Sequence, residues 1–204
     1  MYDAIVIGAR CAGAPVAMLL ARKGYKVLLL DRSRFPSEIA HGHFIHRQGP
    51  KLLARWRLLN KVVESNCPPV LTQTTDYGDF ALIGRTLVSE GVAFGYGPRR
   101  SVLDKILIDG ATDARAELRE GFSAEDFLFE NNRLVGIRGR SKPGGHVVTE
   151  KAHITIGADG RRSLLARTVR APVYQSTPSL TCWYFSYWSG VPNDGLETVR
   201  KSAR

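Results

Sequence analysis

The sequence lacks any long hydrophobic run. No stretch approaches the roughly 20 apolar residues needed to cross a bilayer, and the longest apolar runs are interrupted by Lys23, Lys26 and Asp31. Asp3 precedes the first apolar run, so we also expect no signal peptide. These features predict no integral membrane segment and a cytoplasmic location.

Cysteine is also scarce, with Cys11, Cys67 and Cys182 as the only examples in 204 residues. Their number is odd and their spacing is not that of a metal site, so we expect reduced thiols. The hydrophobic content of 44% is ordinary for a globular protein and suffices for one full domain, or for one domain and part of a second.

A basic tract is absent as well, although the net charge is +10. The arginines are spread in short pairs such as Arg99–Arg100 and Arg161–Arg162, without interleaved aromatic repeats. We therefore predict no nucleic-acid partner. The excess charge suits an anionic cofactor or substrate, or a chain that is part of a more balanced whole.

The most informative segment is residues 4–31, which predicts a strand, a glycine turn, a helix from Ala12 to Arg22 and a second strand. Gly8 suits the reversal from strand to helix, and Gly13 permits close packing of the helix on the strand. The helix N-terminus supplies N–H groups and a positive dipole for a pyrophosphate. Asp31 follows the second strand, where a carboxylate accepts both hydroxyls of an adenosine ribose. This pattern predicts a dinucleotide-binding start.

One residue departs from the G-x-G-x-x-G pattern, because Arg10 takes the place of the middle glycine. Two outcomes stay open at this point. The arginine crowds out the pyrophosphate, or its guanidinium folds aside and adds a cation to an anion site.

The rest of the chain alternates predicted helices and strands. A polar loop covers residues 32–42, and Asn131–Asn132 and Pro143-Gly144-Gly145 are predicted tight turns. Predicted helices cover residues 47–65 and 101–111, the latter with Leu103, Ile106 and Leu107 inward. Short antiparallel strands are predicted within 71–96, and further strands at 116–118, 124–130, 133–140 and 146–156. The result is an α/β domain with an inserted β-meander.

A second glycine-rich motif, GADGRRSLLAR, occupies residues 157–167. Gly157 and Gly160 allow a sharp turn at the strand end, Asp159 projects a carboxylate, and Ser163 begins a predicted helix.

Together these motifs resemble the FAD-dependent oxidoreductases of the aromatic-hydroxylase and geranylgeranyl-reductase type. The similarity covers residues 2–196 and includes the HFIHRQGPKLLARWRLL stretch, and the GARCAG form looks like a variant of one branch. The three matching elements, in order, are the fingerprint from Gly8 to Asp31, RRSVLDKIL at 99–107 and GADGRRS at 157–163.

The resemblance implies a fold and a division into domains. We expect an α/β, Rossmann-like FAD-binding domain, with a parallel sheet plus β-meander, and an incomplete antiparallel substrate-domain sheet. The FAD-binding domain would comprise residues 1–70 and 98–172, and the partial substrate domain residues 71–97 and 173–204.

The resemblance also assigns cofactor-binding residues. Gly8 and Gly13 would hold the FAD pyrophosphate, Asp31 the adenosine ribose, Arg100 the ribose and phosphates, and Asp159 the ribityl–pyrophosphate side. Structural alternatives remain for three of them: a strand-end cap for Asp31, a solvated helix start for Arg100 and an ordinary turn aspartate for Asp159. The full expected set is Gly8, Arg10, Cys11, Ala12, Gly13, Asp31, Arg32, Arg100, Asp159 and Gly160.

A third motif of these flavoproteins, a Gly-Asp pair before a helix that points at the flavin, has no counterpart after residue 160. We therefore expect the chain to be the N-terminal part of a larger, truncated flavoprotein. Its function is then open between a flavin enzyme, a noncatalytic nucleotide-binding fragment and an NAD-dependent dehydrogenase, the last of which leaves Asp159 and the meander unexplained.

In a complete relative, FAD takes hydride from NAD(P)H, and the reduced flavin then oxygenates a substrate with O2 or passes hydride to an alkene. No second glycine fingerprint for the nicotinamide is visible, so NAD(P)H would be a transient reductant. We expect a small hydrophobic or aromatic substrate, contacted by strands within 71–96 and 181–189. Candidate walls are Trp183, Tyr184, Tyr187 and Trp188. The favoured interpretation of these alternating aromatics is a strand with one core face and one partly exposed face. The sequence identifies neither a catalytic residue nor an oligomeric state.

Two further groups have a reactive and an ordinary interpretation. His41, His43 and His46 have spacing that suits a metal, but no carboxylate or cysteine completes a set, so we predict no metal and place His43 or His46 near the flavin by resemblance. Cys11 stands at a helix start that could lower its thiol pKa. The favoured interpretation of Cys11 is a small residue in a tight turn.

Overall fold

A computed structural model describes residues 1–85, 88–89, 91–93, 95–141, 144–191 and 195–200. The chain divides into two compact units. The first unit comprises residues 1–42 and 99–171, and the second comprises residues 43–98 and 172–204.

In its described residues, the first unit contains three helices and six strands. The helices are α1 (Gly13–Arg22), α4 (Arg100–Asp113) and α5 (Leu164–Thr168). The strands are β1 (Tyr2–Ile7), β2 (Val27–Leu30), β8 (Glu117–Arg119), β9 (Phe122–Glu130), β10 (Arg133–Ser141) and β11 (Val147–Gly157).

The second unit contains shorter elements. Its helices are α2 (Gln48–Arg55) and α3 (Leu59–Glu64). Its strands are β3 (Ile45–His46), β4 (Pro69–Val70), β5 (Thr72–Asp76), β6 (Ala81–Arg85), β7 (Gly95–Tyr96) and β12 (Leu196–Val199).

One six-stranded sheet organises the first unit, with strand order β8-β2-β1-β11-β10-β9. The strands β8, β2, β1 and β11 run parallel, and β10 and β9 continue the sheet as antiparallel neighbours. The parallel part has the order of a Rossmann half, in which the chain winds outward from β1 and then crosses to its other side. The predicted α/β fold, with a parallel sheet and a β-meander, is confirmed.

Strand β11 belongs to both parts of this sheet. Residues 147–151 pair with β10 in antiparallel register, and residues 152–157 pair with β1 in parallel register. The meander is thus joined to the parallel sheet by a single continuous strand.

The core of the first unit lies on both faces of the parallel strands. All four residues of β2 are buried, because α1 and α4 pack together and the meander supplies large side chains to a shared apolar cluster. Members of this cluster include Ile5, Ile7, Leu28, Leu30, Phe122, Phe127 and Ile137.

Helix α4 extends beyond the predicted residues 101–111 by one residue at its start and two at its end. Leu103, Ile106 and Leu107 are buried, as the helical spacing predicts. Asn131 and Asn132 both have positive φ, +49° and +62°, which confirms the predicted tight turn between β9 and β10. The other predicted turn includes Pro143, which lies outside the described residues.

The predicted helix over residues 47–65 is wrong in its continuity, since it is two helices. Helix α2 ends in a Schellman motif, in which Leu58 N donates to Leu53 O and Arg57 N donates to Ala54 O. Arg57 adopts φ +63°, and Leu53 and Leu58 are both buried. The free energy gained by burying these two leucines keeps Arg57 in the left-handed conformation, where glycine is the usual residue.

The second unit holds two small sheets, with orders β3-β7-β4 and β12-β5-β6. The antiparallel pairing of β5 with β6 agrees with the strands predicted within 71–96, of which residues 86–87, 90 and 94 lie outside the described part. Residues 43–70, expected in the first domain, pack in the second unit, because β3 and β4 both pair with β7.

The strand expected at 181–189 is not formed. Residues 171–188 have no helix or strand, and the late strand of this unit is β12, which pairs in parallel with β5. The alternating aromatics lack a partner strand among the described residues, so their pattern alone does not produce a sheet. Across the described ranges, none of the helices has the length and apolar character of a membrane span.

Candidate functional site: the carboxyl ends of the parallel strands

The carboxyl ends of β1, β2 and β11 meet at one edge of the first sheet. Gly8 N donates to Leu30 O at 2.7 Å, and Ala158 N donates to Ile7 O at 2.7 Å. The two glycine-rich motifs, which begin at Gly8 and Gly157, are therefore adjacent in the fold. The topological switch between β2 and β11, on either side of β1, is where ligands of such sheets bind.

The glycines of the first motif are required by close backbone approaches. Gly8 has φ +101°, and a Cβ atom there would lie 2.3 Å from Ala158 O. At Gly13 a Cβ would lie 1.7 Å from Gly8 O. A side chain at either position would therefore force the backbone of the turn to shift.

No side chain caps the N-terminus of α1, although Ala14 N donates to Arg10 O at 3.0 Å and Pro15 has no N–H. The N-cap position is Ala12, which has no side chain able to cap, and the first turn of α1 contains no acidic residue. Cys11 and Ala12 are both exposed. The N–H groups of the turn before α1 and the positive end of the helix dipole suit an anion, and the anion site itself stays a prediction.

Asp31 is buried directly after β2. Its Oδ2 accepts from Ala9 N at 2.8 Å, and its Oδ1 accepts from Ser33 N at 2.7 Å. The carboxylate is thereby fixed against the glycine turn, and each oxygen keeps a lone pair for a further donor. The next residue, Arg32, is exposed.

Asp159 lies at the corresponding end of β11. Its Oδ2 accepts from Leu164 N at 2.7 Å, while its Oδ1 is buried and has no hydrogen-bond partner among the described residues. Gly160 follows with φ +85°, and Ser163 caps α5 by accepting from Ala166 N. A buried carboxylate oxygen without a donor is costly, and a ligand hydroxyl would satisfy it.

Asp104 is a site residue that the sequence analysis missed. Its side chain is fully buried, and its Oδ2 accepts from Arg10 Nη1 at 2.6 Å. Arg100 donates to Oδ1 from Nε at 3.2 Å and from Nη2 at 2.9 Å. The only sequence signal is the i,i+4 spacing from Arg100, which is also common in exposed helical pairs.

This cluster decides the open interpretations of both arginines. Arg10 has folded aside onto Asp104, while Arg100 is 7% exposed and is not a solvated helix start. Two guanidinium groups share one carboxylate, so the cluster carries one uncompensated positive charge beside the glycine turn.

Cys11 does not have an activated thiol in this arrangement. Although Cys11 as a residue is exposed, the atoms packed around its sulfur desolvate the thiol and raise its pKa to about 11, against an opposing effect of Arg100 and with a further contribution from the Asp104 carboxylate. Its Sγ donates to Asp104 Oδ1 at 3.4 Å. The ordinary interpretation, a small residue in a tight turn, is the one this environment supports.

His43, His46 and the aromatic candidates belong to the second unit, whereas His41 belongs to the first. His43 contacts Tyr187 through a 2.5 Å Nε2–Oη hydrogen bond and a stacked ring, and His46 stacks on Phe44. Within the described ranges, no group of three metal-ligating side chains is assembled. The aromatic candidates Trp183, Tyr184, Tyr187 and Trp188 are all exposed.

The residues present fit a dinucleotide. The cradle of Gly8 and Gly13 leaves room for backbone approach, the α1 N-terminus suits a pyrophosphate, and the orphaned oxygen of Asp159 suits a hydroxyl. Fold and site together define a Rossmann-type dinucleotide-binding protein.

Comparison with known proteins identifies the family within this class. The family described as FAD binding domain matches residues 1–191, and the chain belongs to this family. FAD is therefore its cofactor, and the predicted flavoprotein resemblance is confirmed.

Three similar proteins illustrate the relationship. Digeranylgeranylglycerophospholipid reductase 2 of Methanopyrus kandleri is 28% identical over 89% of this chain and 43% of its own length. The protein of the same name from Methanothermobacter thermautotrophicus is 31% identical over 81% of this chain and 41% of its own length. The myxobacterial FAD-dependent halogenase CndH superposes with TM-score 0.72 at 25% identity, over 79% of this chain and 38% of its own. The chain thus spans less than half the length of these relatives.

Proposed function

We propose that this chain is the FAD-binding part of an NAD(P)H-dependent flavin oxidoreductase of the monooxygenase type. The observation that carries the proposal is the meeting of the glycine turn, Asp31 and Asp159 at the carboxyl ends of β1, β2 and β11. FAD bound at this site would supply the redox chemistry, as a carrier of hydride from a nicotinamide. The protein's own residues bind and orient it.

The geometry supports the following binding roles. The N–H groups of residues 10–13 hold the pyrophosphate, with Gly8 and Gly13 clearing the approach and Arg100 adding positive charge nearby. Asp31 accepts from the adenosine ribose, because its carboxylate is already fixed by two backbone donors. Asp159 and Gly160 face the ribityl–pyrophosphate side, where the free Oδ1 accepts a hydroxyl.

The proposal extends to the setting of the whole protein. A small hydrophobic or aromatic compound is its substrate, NAD(P)H is a transient reductant, and the protein is cytoplasmic. The exposed aromatic residues from Trp183 to Trp188 support the substrate class, because they offer apolar surface in the second unit.

A second candidate function is reduction of an alkene. It is favoured by the names of the two archaeal relatives, which are 28% and 31% identical and are both reductases of geranylgeranyl lipids. NADPH oxidation that depends on O2 and an aromatic substrate would support the monooxygenase. Oxidation that proceeds without O2 when an isoprenoid alkene is added would support the reductase.

The binding proposal is tested with purified protein, kept in the dark, whose visible absorption is recorded before and after FAD addition and desalting. Asp31→Ala should weaken FAD affinity about 10- to 100-fold, because a hydrogen bond to a charged group contributes about 1.5–3 kcal/mol. The matched control is Asp3→Ala. Asp3 is another carboxylate that accepts a hydrogen bond from a backbone N–H, that of Lys26, just before β2. Equal FAD affinity in a folded Asp31→Ala protein would contradict the ribose assignment.

A further inference from the structure

Arg10 occupies the glycine turn without needing a glycine's backbone. Among the described residues, the non-glycine positions with positive φ do not include Arg10, whereas Gly8 in the same turn has φ +101°. The side chain is 21% exposed.

The guanidinium of Arg10 joins segments that are distant in sequence. Its Nη1 donates to Asp104 Oδ2 at 2.6 Å, on α4. Its Nη2 donates to Ser37 Oγ at 2.7 Å and lies 3.5 Å from Ser33 Oγ. Its Cζ lies 5.0 Å from the centre of the Phe35 ring, at cation–π distance.

These contacts link a buried anchor to a surface loop. Asp104 is held in place by Arg100 as well, so the carboxylate does not depend on Arg10 for its position. The segment from residue 32 to residue 42, here called the post-β2 loop, has no helix or strand. Arg10 connects this loop to α4 through one planar side chain with donors on two sides, a geometry that lysine does not provide.

The post-β2 loop in turn positions the ribose-binding carboxylate. Ser33 N donates to Asp31 Oδ1 at 2.7 Å, and Ser33 Oγ is one of the groups that Arg10 Nη2 faces. A loop that moved away would take this donor from Asp31. The loop is also held by Gly121 N, which donates to Ser33 O at 2.9 Å, and by Phe35 N, which donates to Glu120 Oε1 at 3.2 Å. Arg10 adds the link to α4, so it contributes to both the order of the loop and the orientation of the carboxylate.

We propose that Arg10 is a positioning residue that holds the post-β2 loop in its binding conformation before the dinucleotide arrives. The proposal rests on the proposed FAD site. The usual glycine at this position only leaves room for the phosphates. Arg10 also orders the post-β2 loop on the adenosine side, so that the loop loses less conformational freedom when the cofactor binds. The recognised part of the ligand is the adenosine monophosphate moiety, and the pyrophosphate is held by the α1 N-terminus.

The test measures loop order and affinity in separate experiments. The variants are Arg10→Gly, which restores the common motif, Arg10→Lys, which keeps the charge, and Ser37→Ala, which removes one loop contact and leaves the Asp104 ion pairs intact. Arg138→Ala is the control, because Arg138 pairs with Asp126 at 2.6 Å on the surface of the meander. Folding of each variant is verified by thermal unfolding.

Loop order is read from trypsin cleavage of the protein without cofactor, because Arg32 and Arg34 are exposed and lie in the post-β2 loop. We expect cleavage after these two arginines to be about tenfold faster in Arg10→Gly and Arg10→Lys, and a few-fold faster in Ser37→Ala. The control should be cleaved there at the rate of the wild type.

Affinity is measured for FAD, ADP and AMP. We expect both Arg10 variants to bind all three about tenfold more weakly, since the shared adenosine monophosphate part is affected. If Arg10→Lys binds like the wild type, or if ADP loses much more affinity than AMP, Arg10 acts as a pyrophosphate cation and the proposal is overturned. Unchanged cleavage and affinity in Arg10→Gly would overturn it too. Failure of the wild type to bind FAD would instead refute the proposed function.

Discussion

Replacement of Asp104 by asparagine tests how much the fold depends on one buried carboxylate. Asp104 is fully buried between Arg10 and Arg100, so Asp104→Asn leaves two guanidinium groups facing each other without a negative charge. Removing one partner of a buried ion pair costs about 3–5 kcal/mol. Because the Arg10 side chain retains 21% exposure, we expect the lower end, about 3 kcal/mol.

The free energy of unfolding is measured by urea denaturation, with a parallel thermal scan in which a loss of this size lowers Tm by roughly 10 °C. The matched control is Asp126→Asn. Asp126 pairs with Arg138 at 2.6 Å, the same distance as between Asp104 and Arg10. The side chains of Asp126 and Arg138 are, however, both about half exposed. We expect the control to change stability by less than about 1 kcal/mol. If both variants lose the same amount, burial does not determine the strength of these pairs and the reasoning is refuted.

Two further predictions concern packing and pH. Gly13→Ala should lower the free energy of unfolding by about 3 kcal/mol or more, because the new Cβ would lie 1.7 Å from Gly8 O and no rotamer relieves a backbone clash. The control Gly42→Ala should leave stability unchanged, since there is open space around its Cβ. Equal unfolding midpoints of the two variants would contradict the assigned clash. Burial, together with the hydrogen bond to Glu117, raises the pKa of Tyr2 to about 12 from 10.0, so its stabilising contribution is present below pH 10 and is lost as pH rises through 12. The free energy of unfolding, measured with urea, should therefore fall less between pH 10 and pH 12 in Tyr2→Phe than in the wild type. Identical pH profiles of the two proteins would contradict the shifted pKa.

The first sheet was predictable because its sequence signals are local and mutually consistent. A continuous apolar strand such as Val27–Leu30 requires burial on both faces, and the glycines before α1 indicate a tight strand-to-helix turn. The order of the motifs then placed Asp31 and Asp159 at strand ends, where the structure has them.

The parts that sequence did not reveal depend on partners distant in the chain. Asp104 resembles any helical acid until Arg10, which is 94 residues away in sequence, is seen to reach it. The break between α2 and α3 depends on the burial of Leu58, which allows Arg57 to adopt a glycine-like conformation. The aromatic run from Trp183 to Trp188 has the alternation of a strand, but a strand also needs a neighbour with which to pair.

The shared strand β11 places unequal limits on how the length of this chain can vary. Its first half is in register with β10 and its second half with β1, so a residue gained or lost within it would disturb one of the two pairings. Any such slip would also displace Asp159, which follows the strand directly. The turn at Asn131–Asn132 does not have to stay in register with two strands, since it only connects β9 to β10. Insertions that evolution or an engineer adds to the meander should accumulate at that turn, while the number of residues from 147 to 159 stays fixed.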